Sequence, residues 1–287
     1  MSNIFCFGYG QVVKSFVKHL SKTNTKINLT YTSRMLENKK KDNSYKVFKL
    51  DENSYDNEII NELYNSDFVI ISIPPINGED IVIKHFSEVF KKLKNKCITY
   101  LSATSVYGNH DGQWVNEESS TEPSSENGIN RLKAEKNWIS LCENLNLPIQ
   151  IFRLSGIYSS HNNILKRLKF GTAKIINKKN HFFSRIHVDD IANILIKSMS
   201  HFRSGEIFNI SDDRPASNEE ITLYAAGLMN IKIPERIDAQ NIENKMLKDF
   251  YKDSKKVSNK KMKNKLLIKL KYPSYKEGLR NIFNNTR

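Results

Sequence analysis

The sequence predicts an α/β fold in which a parallel sheet carries helices on both of its faces. Short apolar runs alternate with helix-period segments through the first half of the chain, which is typical of strand–helix–strand units. The strand-like runs are NIFCF, INLTYTS, YKVFKL, DFVIISI, CITYLSA and IQIFRL. A glycine turn, FGYG, joins the first run to the first helix, and the pattern loosens after residue 155. We therefore expect a main domain at residues 1–155 and a smaller α/β domain at 156–287, part of which returns to the main sheet.

Hydrophobic periodicity and capping residues predict the individual elements. The first helix has one apolar face, whose residues recur at a spacing of three to four. They are Val12, Val13, Phe16, Val17 and Leu20. Beyond residue 155, RIHVDDIANILIKSM predicts a helix, EIFNI a strand and SNEEITLYAAGLM a second helix. Ser217, with Glu220 three residues later, has the pattern of a capping box for that helix.

Composition argues against several classes of protein. The 287 residues contain no apolar stretch of the roughly 20 residues that a membrane helix needs, and no N-terminal signal segment, so we expect a cytoplasmic protein. The three cysteines lie far apart in apolar segments, which favours core thiols over disulfides or a metal cluster. The net charge of +14 concentrates in residues 252–271, where lysines alternate with apolar residues. This run is more typical of a solvated helix face than of a nucleic-acid-binding stripe.

Gly8 and Gly10 follow the first predicted strand and precede the first predicted helix. A G-x-G pair in this position is a dinucleotide-binding signal, because Gly8 permits the tight turn and Gly10 lets backbone N–H groups approach a pyrophosphate. Gln11 and Val12 open the helix whose N-terminus would receive the pyrophosphate. Val13 replaces the third glycine of the pattern, and its bulk is expected to push the helix slightly away from the strand. A structural turn without a ligand stays an alternative.

The end of the second predicted strand bears on the choice between NAD and NADP. NAD-binding proteins usually carry an acidic residue about 20 residues after the glycines, which binds the ribose hydroxyls. Here the strand ends YTSR, and Ser33 and Arg34 offer a hydroxyl and a guanidinium to a 2′-phosphate, so NADP is favoured over NAD. Asp51, at the end of the third strand, would accept from the adenine amine or, equally well, cap the next turn.

Nine short motifs occur together and in order over nearly the whole chain. They are FGYG, ISIPP, LSATSVYGNHDGQWVNEES, LKAEKNW, FRLSGIY, RIHVDD, EIFNISDD, VSNKKMKNKL and YPSYKEGL. Together they resemble the short-chain dehydrogenase/reductase superfamily, in particular its extended and atypical members of the NAD-dependent epimerase/dehydratase family. The resemblance implies a Rossmann-type doubly wound sheet, with Ile73 and Pro74 of ISIPP among the cofactor-binding residues. It also implies a homodimer as one alternative, since helices equivalent to residues 126–145 pair subunits in many members.

The same resemblance implies an active site with a Ser or Thr after the fifth strand and a Tyr-x-x-x-Lys pair on the following helix. In the family the tyrosine exchanges a proton with the substrate, the lysine lowers the tyrosine pKa and binds the nicotinamide ribose, and the Ser or Thr orients the substrate. The matching positions here read Ala103, Asn127 and Arg131. Ala103 offers no hydrogen bond and an amide does not exchange protons at neutral pH, so only Arg131 is expected to keep a role, at the ribose hydroxyls.

Substitute acids are predicted just after the fifth strand, where parallel sheets place their ligands. The candidates are Tyr107 and His110, against the alternatives of a packed pocket wall and an exposed loop residue. Tyr251 and Lys255 also have the Tyr-x-x-x-Lys spacing but are interpreted as a chance pair in a lysine-rich chain. The acids of HVDD are interpreted as caps of the helix that they open, so no metal is predicted.

Two functions follow from these interpretations. The first is an oxidoreductase-like or epimerase-like enzyme that uses NADP and unusual acid/base residues on a small polar substrate, with a nucleotide-linked substrate as one version. The second is a non-catalytic NADP(H)-binding sensor or scaffold that reports redox state to a partner. The changed catalytic positions favour the sensor, and the retained two-domain organisation favours the enzyme.

Overall fold

A computed structural model of the chain describes residues 2–23, 27–35, 45–76, 78–93, 96–244, 247–248 and 251–286. Thirteen strands and nine α-helices lie wholly within these ranges. The strands are β1 (Ser2–Phe7), β2 (Ile27–Ser33), β3 (Tyr45–Lys49), β4 (Phe68–Ile71), β5 (Cys97–Ala103), β6 (Trp114–Val115), β7 (Ile149–Leu154), β8 (Gly156–Tyr158), β9 (Ile175–Asn177), β10 (Arg185–His187), β11 (Ile207–Ile210), β12 (Arg236–Asp238) and β13 (Lys256–Val257). The helices are α1 (Gln11–Leu20), α2 (Glu58–Asn65), α3 (Ile81–Phe90), α4 (Glu126–Leu145), α5 (Ile164–Lys169), α6 (Val188–Ser200), α7 (Asn218–Met229), α8 (Lys260–Lys265) and α9 (Tyr275–Asn284).

The strands predicted from the apolar runs form one seven-stranded sheet in the order β3-β2-β1-β4-β5-β7-β11. The pairs from β3 through β5 are parallel, and Phe7 of β1 lies opposite Ile71 of β4. The chain builds outward from β1 on one side through β2 and β3, then crosses to β4 on the other side. Such a reversal of strand order is the point at which doubly wound sheets bind ligands, beyond the carboxyl ends of their strands. The predicted α/β fold with a Rossmann-type parallel sheet is confirmed.

The chain divides into two compact units whose segments are interleaved in the sequence. Unit 1 consists of residues 1–102, 130–153 and 192–208, and unit 2 of residues 103–129, 154–191 and 209–287. This differs from the linear division at residue 155. The physical reason lies in strand pairing: β6 pairs with β13 inside unit 2, while unit 1 takes the segment that leads into the sheet's edge strand, β11.

Aromatic rings dominate the core of unit 1. Phe7, Phe86, Phe90 and Trp138 are fully buried, and the Trp138 ring meets that of Phe90 edge to face with centroids 5.1 Å apart. The indole Nε1–H of Trp138 donates to the buried carboxylate of Asp80 at 2.8 Å, which satisfies the one polar atom of the ring. Strand β1 and helices α3 and α4 therefore share a tightly packed apolar layer.

Unit 2 has three small parallel pairs of strands and its own apolar core. The pairs are β10 with β8, β12 with β9, and β13 with β6. The core is built on α5, α7 and α9, whose buried residues include Leu165, Ala225 and Leu279. Each pair is too short for independent stability, so these strands depend on the helices packed around them.

The capping box predicted at Ser217 and the helix predicted from Arg185 are corrected. Ser217 accepts a hydrogen bond from the Glu220 N–H at 3.0 Å, but the Glu220 carboxylate accepts from Tyr275 and Arg214 instead of closing the box. RIHVDD is not helical throughout, because its first three residues form β10. Asp189 and Asp190 both lie in the first turn of α6 as predicted, and Asp190 also accepts from the backbone N–H groups of Lys271 and Tyr272, which ties that distant segment to the helix.

Candidate functional site

The glycine turn of unit 1 has the geometry that the sequence predicts. Gly8 has φ +93°, and a Cβ at this position would lie 2.8 Å from Ser72 Oγ, so only glycine fits without strain. Gly10 is the N-cap of α1, and no atom lies within 4 Å of the position that a Cβ would take there. The first-turn N–H groups of α1 have no acceptor within the helix, and no side chain of the N-cap residue caps them. This end of the helix fits an anionic group.

The three residues that follow the second glycine differ in exposure. Gln11 is exposed, whereas Val12 is 7 % exposed and Val13 is fully buried. Val13 therefore packs into the core of unit 1 and does not obstruct the turn. Its place in α1 accommodates a side chain where the usual pattern has glycine.

The other predicted cofactor residues follow the carboxyl ends of neighbouring strands. Ser33 ends β2 and its hydroxyl donates to the Met35 carbonyl at 2.7 Å, while the Arg34 side chain is exposed. Ile73 and Pro74 follow β4, half-buried and exposed respectively. All of them belong to unit 1, at the edge of the sheet where Gly8 lies.

Asp51 is engaged in a turn. Its Oδ1 accepts from the N–H groups of Asn53 and Ser54 at 2.9 and 2.8 Å, and its Oδ2 lies 3.1 Å from Lys49 Nζ. The Asn53 N–H, the Lys49 ammonium and the Ser54 N–H hold the pKa of Asp51 below its usual range. Of the two expectations for Asp51, the capping role is the one for which the structure supplies contacts.

An aromatic pair lies beside the glycine turn and was not predicted from the sequence. The rings of Tyr9 and Tyr31 stack with centroids 3.8 Å apart and an interplanar angle of 13°. Lys14 Nζ lies 5.6 Å from the centroid of the Tyr9 ring. The signal in the sequence is that Tyr31 lies two residues before Ser33, on the same face of β2.

Arg131 lies on α4 in unit 1. Its Nη1 donates to the Leu101 carbonyl at 3.1 Å and to the Tyr100 hydroxyl at 3.3 Å. Burial raises the pKa of Tyr100, so its hydroxyl stays neutral. These contacts fix the guanidinium at the carboxyl end of β5.

Ala103 and Asn127 belong to unit 2, where they line one cavity of about 640 Å³ that we call the Ala103 pocket. Its other polar lining is mainly hydroxyl groups, from Thr104, Ser105, Ser125, Ser155 and Ser184. Its charged lining residues are Glu126, Asp253 and Lys255. Ala103 and Asn127, two of the positions that the resemblance implies to be catalytic, thus line the same polar cavity.

Tyr107 and His110, the predicted substitute acids, do not line the Ala103 pocket in the part of the chain that the structure describes. Tyr107 is fully buried and its hydroxyl donates to Asn209 Oδ1 at 2.7 Å. His110 is half-buried, with Nε2 3.1 Å from the Tyr107 carbonyl oxygen. The geometry therefore gives each of them a packing role inside unit 2.

Lys255 is the residue of this pocket that sequence reasoning missed. The basic run 252–271 was expected to be a solvated helix face, yet the Lys255 side chain is 11 % exposed and Nζ donates to the Gly108 carbonyl at 2.7 Å. Asp253 Oδ2 lies 3.7 Å from the same ammonium. The one available signal is the i, i+2 spacing of Asp253 and Lys255, which puts both side chains on one face of an extended segment.

Within the described ranges, no group of three or more His, Cys, Asp or Glu side chains is arranged to hold a metal ion. Cys6 and Cys142 are buried and Cys97 is half-buried, all three as free thiols. None of the helices described is long and apolar enough to span a bilayer.

Comparison with known proteins finds similarity in structure but not in sequence families. No protein-family model and no curated protein sequence matches the chain. A functionally unknown conserved protein from Silicibacter pomeroyi DSS has a similar structure, with a TM-score of 0.88 and 28 % identity over 100 % of this chain and 99 % of the other.

Two enzymes that bind NAD share the fold at lower identity. The dTDP-glucose 4,6-dehydratase of Bacillus anthracis str. Ames in complex with NAD has a TM-score of 0.81 and 16 % identity, covering 99 % of this chain and 96 % of the other. The UDP-glucuronic acid 4-epimerase of Bacillus cereus in complex with NAD has a TM-score of 0.79 and 16 % identity, covering 99 % and 100 %. These two neighbours are a nucleotide-sugar dehydratase and a nucleotide-sugar epimerase, each solved with NAD, and at such identities the likeness establishes the shared fold.

Proposed function

We propose that the chain is an NADP-dependent oxidoreductase-like or epimerase-like enzyme of the atypical short-chain dehydrogenase/reductase type, acting in the cytoplasm on a small acidic substrate. The observation that carries the proposal is the open N-terminus of α1 behind Gly8 and Gly10. A bound nicotinamide dinucleotide would supply or accept a hydride at its nicotinamide ring. Gly10, Gln11 and Val12 would hold its pyrophosphate, and Arg131 its nicotinamide ribose.

The preference for NADP rests on Arg34. Its guanidinium is exposed one residue after β2, and among the described residues no carboxylate lies within 4 Å of it. A planar guanidinium matches a phosphate with two parallel hydrogen bonds, which a free ribose hydroxyl cannot accept. The solved neighbours carry NAD, so NAD is the alternative that the experiment must separate.

A second cavity of unit 2 supports an acidic substrate. It measures about 410 Å³, and its described lining includes the cations Arg167, Lys174 and Arg185 and no acidic residue; Glu235, outside that lining, pairs with Lys174 at 3.4 Å. Arg185 donates to the carbonyls of Phe183 and Ala216. Burial lowers the pKa of Arg185 to about 10, so its guanidinium stays charged at neutral pH. A phosphate or carboxylate would compensate this excess of positive charge, and a nucleotide-linked substrate would bring two phosphates.

The second candidate function is a non-catalytic NADP(H)-binding sensor. The observation that favours it is that the catalytic positions implied by the resemblance read Ala103, Asn127 and Arg131. A sensor needs the dinucleotide site of unit 1 and no proton-transfer group. Binding without turnover of any carbonyl compound or nucleotide sugar would favour this function.

The binding test is a titration of the purified chain with NADPH and with NADH, followed by nicotinamide fluorescence. We expect tighter binding of NADPH, and a loss of about 10- to 100-fold in NADPH affinity for Arg34→Asp, since a hydrogen bond to a charged group contributes about 1.5–3 kcal/mol. NADH affinity should change little. Arg203→Asp, at an exposed position of the same unit, is the matched control and should bind both as the parent does. Equal losses for NADPH and NADH would refute the NADP preference, and no binding of either would refute the proposal.

A further inference from the structure

The Ala103 pocket contains few groups that can exchange a proton near neutral pH. Hydroxyls of Ser and Thr are too weakly acidic, an amide does not titrate, and no Tyr or His belongs to its described lining. Glu126, Asp253 and Lys255 remain. Glu126 is exposed on the first turn of α4, whereas Asp253 and Lys255 are each 11 % exposed.

Both carboxylate oxygens of Asp253 contact neighbouring side chains. Its Oδ1 accepts from the Ser124 hydroxyl at 2.9 Å, and its Oδ2 lies 3.7 Å from Lys255 Nζ. A carboxylate held in this way compensates the buried ammonium. Lys255 Nζ has three N–H donors, one of which the Gly108 carbonyl accepts, and the Asp253 carboxylate contributes charge at 3.7 Å.

The backbone on either side of Lys255 is fixed by hydrogen bonds within unit 2. The Ser254 carbonyl accepts from His110 N–H and Gly112 N–H, both at 3.0 Å, and the Lys256 N–H donates to the Gln113 carbonyl at 2.9 Å. The Ser254 hydroxyl donates to the Asn180 carbonyl at 3.2 Å. The loop after β5 therefore holds Lys255 in place, which a proton-transfer group requires.

We propose that Lys255 is the residue that transfers a proton to and from the substrate oxygen in the Ala103 pocket. The inference rests on the proposed function, because it needs the hydride chemistry of a nicotinamide dinucleotide. In the reducing direction a bound dinucleotide would supply the hydride that a carbonyl carbon of the substrate gains. The Lys255 N–H bond then breaks as an O–H bond forms on the former carbonyl oxygen, and the neutral amine recovers its proton from water. In the oxidising direction neutral Lys255 takes the hydroxyl proton, and a bound dinucleotide would accept the hydride that the carbon loses.

The electrostatic surroundings suit this exchange. Burial lowers the pKa of Lys255, and the negative charge of Asp253 opposes that shift. The charged and titratable groups nearby are Asp253 on its own segment, Glu126 on α4 and His181 on the loop before β10. Burial and the Lys178 ammonium lower the pKa of His181 to about 4, so at neutral pH His181 adds no charge. Lys255 is therefore ready to release its proton at a lower pH than a solvated lysine.

A labelling experiment tests the proposal without an identified substrate. The intact chain is trace-labelled with acetic anhydride from pH 6 to 11, and the labelling of each lysine is measured by mass spectrometry. The labelling midpoint of Lys255 should lie below that of exposed Lys260 in the same digest. Asp253→Asn should lower the Lys255 midpoint further, because it removes the charge that favours the ammonium. A Lys255 midpoint at or above that of Lys260 overturns the proposal.

Turnover provides the second measurement, in a screen of carbonyl compounds and nucleotide sugars with NADPH or NADP. Lys255→Met should lower kcat by about 10²–10⁴-fold with NADPH affinity unchanged. Lys255→Arg should keep the charge but not restore kcat, because the guanidinium does not release its proton. Lys260→Met is the matched control and should stay within twofold. In the reducing direction, kcat of the parent should fall as pH rises through the pKa of Lys255.

The possible failures are distinguishable. Full activity in Lys255→Arg, or binding of NADPH without turnover of any compound, overturns the role of Lys255 and leaves the cofactor site intact. Absence of NADPH binding refutes the proposed function itself. Should Lys255→Met fail to fold, the labelling midpoints of the parent and of Asp253→Asn decide the question.

Discussion

Removal of one partner from the buried ion pair of unit 1 should lower the free energy of unfolding far more than replacement of both partners by apolar residues. Arg153 Nη2 lies 2.5 Å from Glu135 Oε1, and the two side chains are 5 % and 2 % exposed. The Ser102 hydroxyl donates to Glu135 Oε2 at 2.6 Å. Glu135→Gln keeps the shape but leaves a buried guanidinium without its carboxylate. Loss of one member of such a pair costs about 3–5 kcal/mol.

The double variant provides the decisive comparison. Glu135→Leu with Arg153→Met removes both charges and fills the space with apolar atoms, so it should lose far less than the sum of the single losses.

Urea unfolding followed by tryptophan fluorescence measures these effects. In a Trp114→Phe background the remaining indole is that of Trp138, which is buried in unit 1. With a slope near 2–3 kcal/mol per M urea, Glu135→Gln should lower the midpoint by about 1–2 M. Glu88→Gln breaks the exposed pair with Lys91 and should change stability by less than about 0.5 kcal/mol. A double variant that loses as much as both single variants together would refute the reasoning.

Two further predictions concern one residue in each unit. Gly8→Ala should destabilise unit 1 by about 1–2 kcal/mol, because alanine avoids positive φ and its Cβ would lie 2.8 Å from Ser72 Oγ; an unchanged thermal midpoint together with unchanged NADPH affinity would contradict this. In unit 2, burial raises the pKa of Asp212 well above its ordinary value, so the folded state keeps a proton that the unfolded chain releases at a pH near 4. Stability should therefore fall as pH rises from that value through the folded pKa, and Asp212→Asn should flatten the slope in urea unfolding between pH 4 and 7. Identical slopes in parent and variant would count against the raised pKa.

The sheet of this protein was predictable because its strands are buried and therefore nearly continuous in apolar residues. NIFCF, DFVIISI and CITYLSA form β1, β4 and β5, and the glycine turn follows β1 as expected. Local signals were less reliable where tertiary contacts competed for a side chain. Glu220 has the capping-box spacing, yet its carboxylate accepts hydrogen bonds from Tyr275 and Arg214 instead of from the N-cap residue.

The candidate site was predictable only in part. Gly8, Gly10 and Arg34 follow from spacing, because short-range geometry places them at strand ends. Lys255 could not be found in this way, since its burial depends on the loop around Gly108, which lies far from it in the sequence. A lysine-rich run looks solvated by composition, and only long-range packing lowers the exposure of the Lys255 side chain to 11 %.

The interleaving of the two units has a consequence for synthesis of the chain. Unit 2 includes residues 209–287 and unit 1 includes residues 192–208, so neither can be completed until most of the polypeptide has left the ribosome. A nonsense codon before residue 192 would remove a segment from both units at once. Expression of a fragment ending near residue 155 would yield an incomplete body with exposed apolar surface, prone to aggregation and proteolysis.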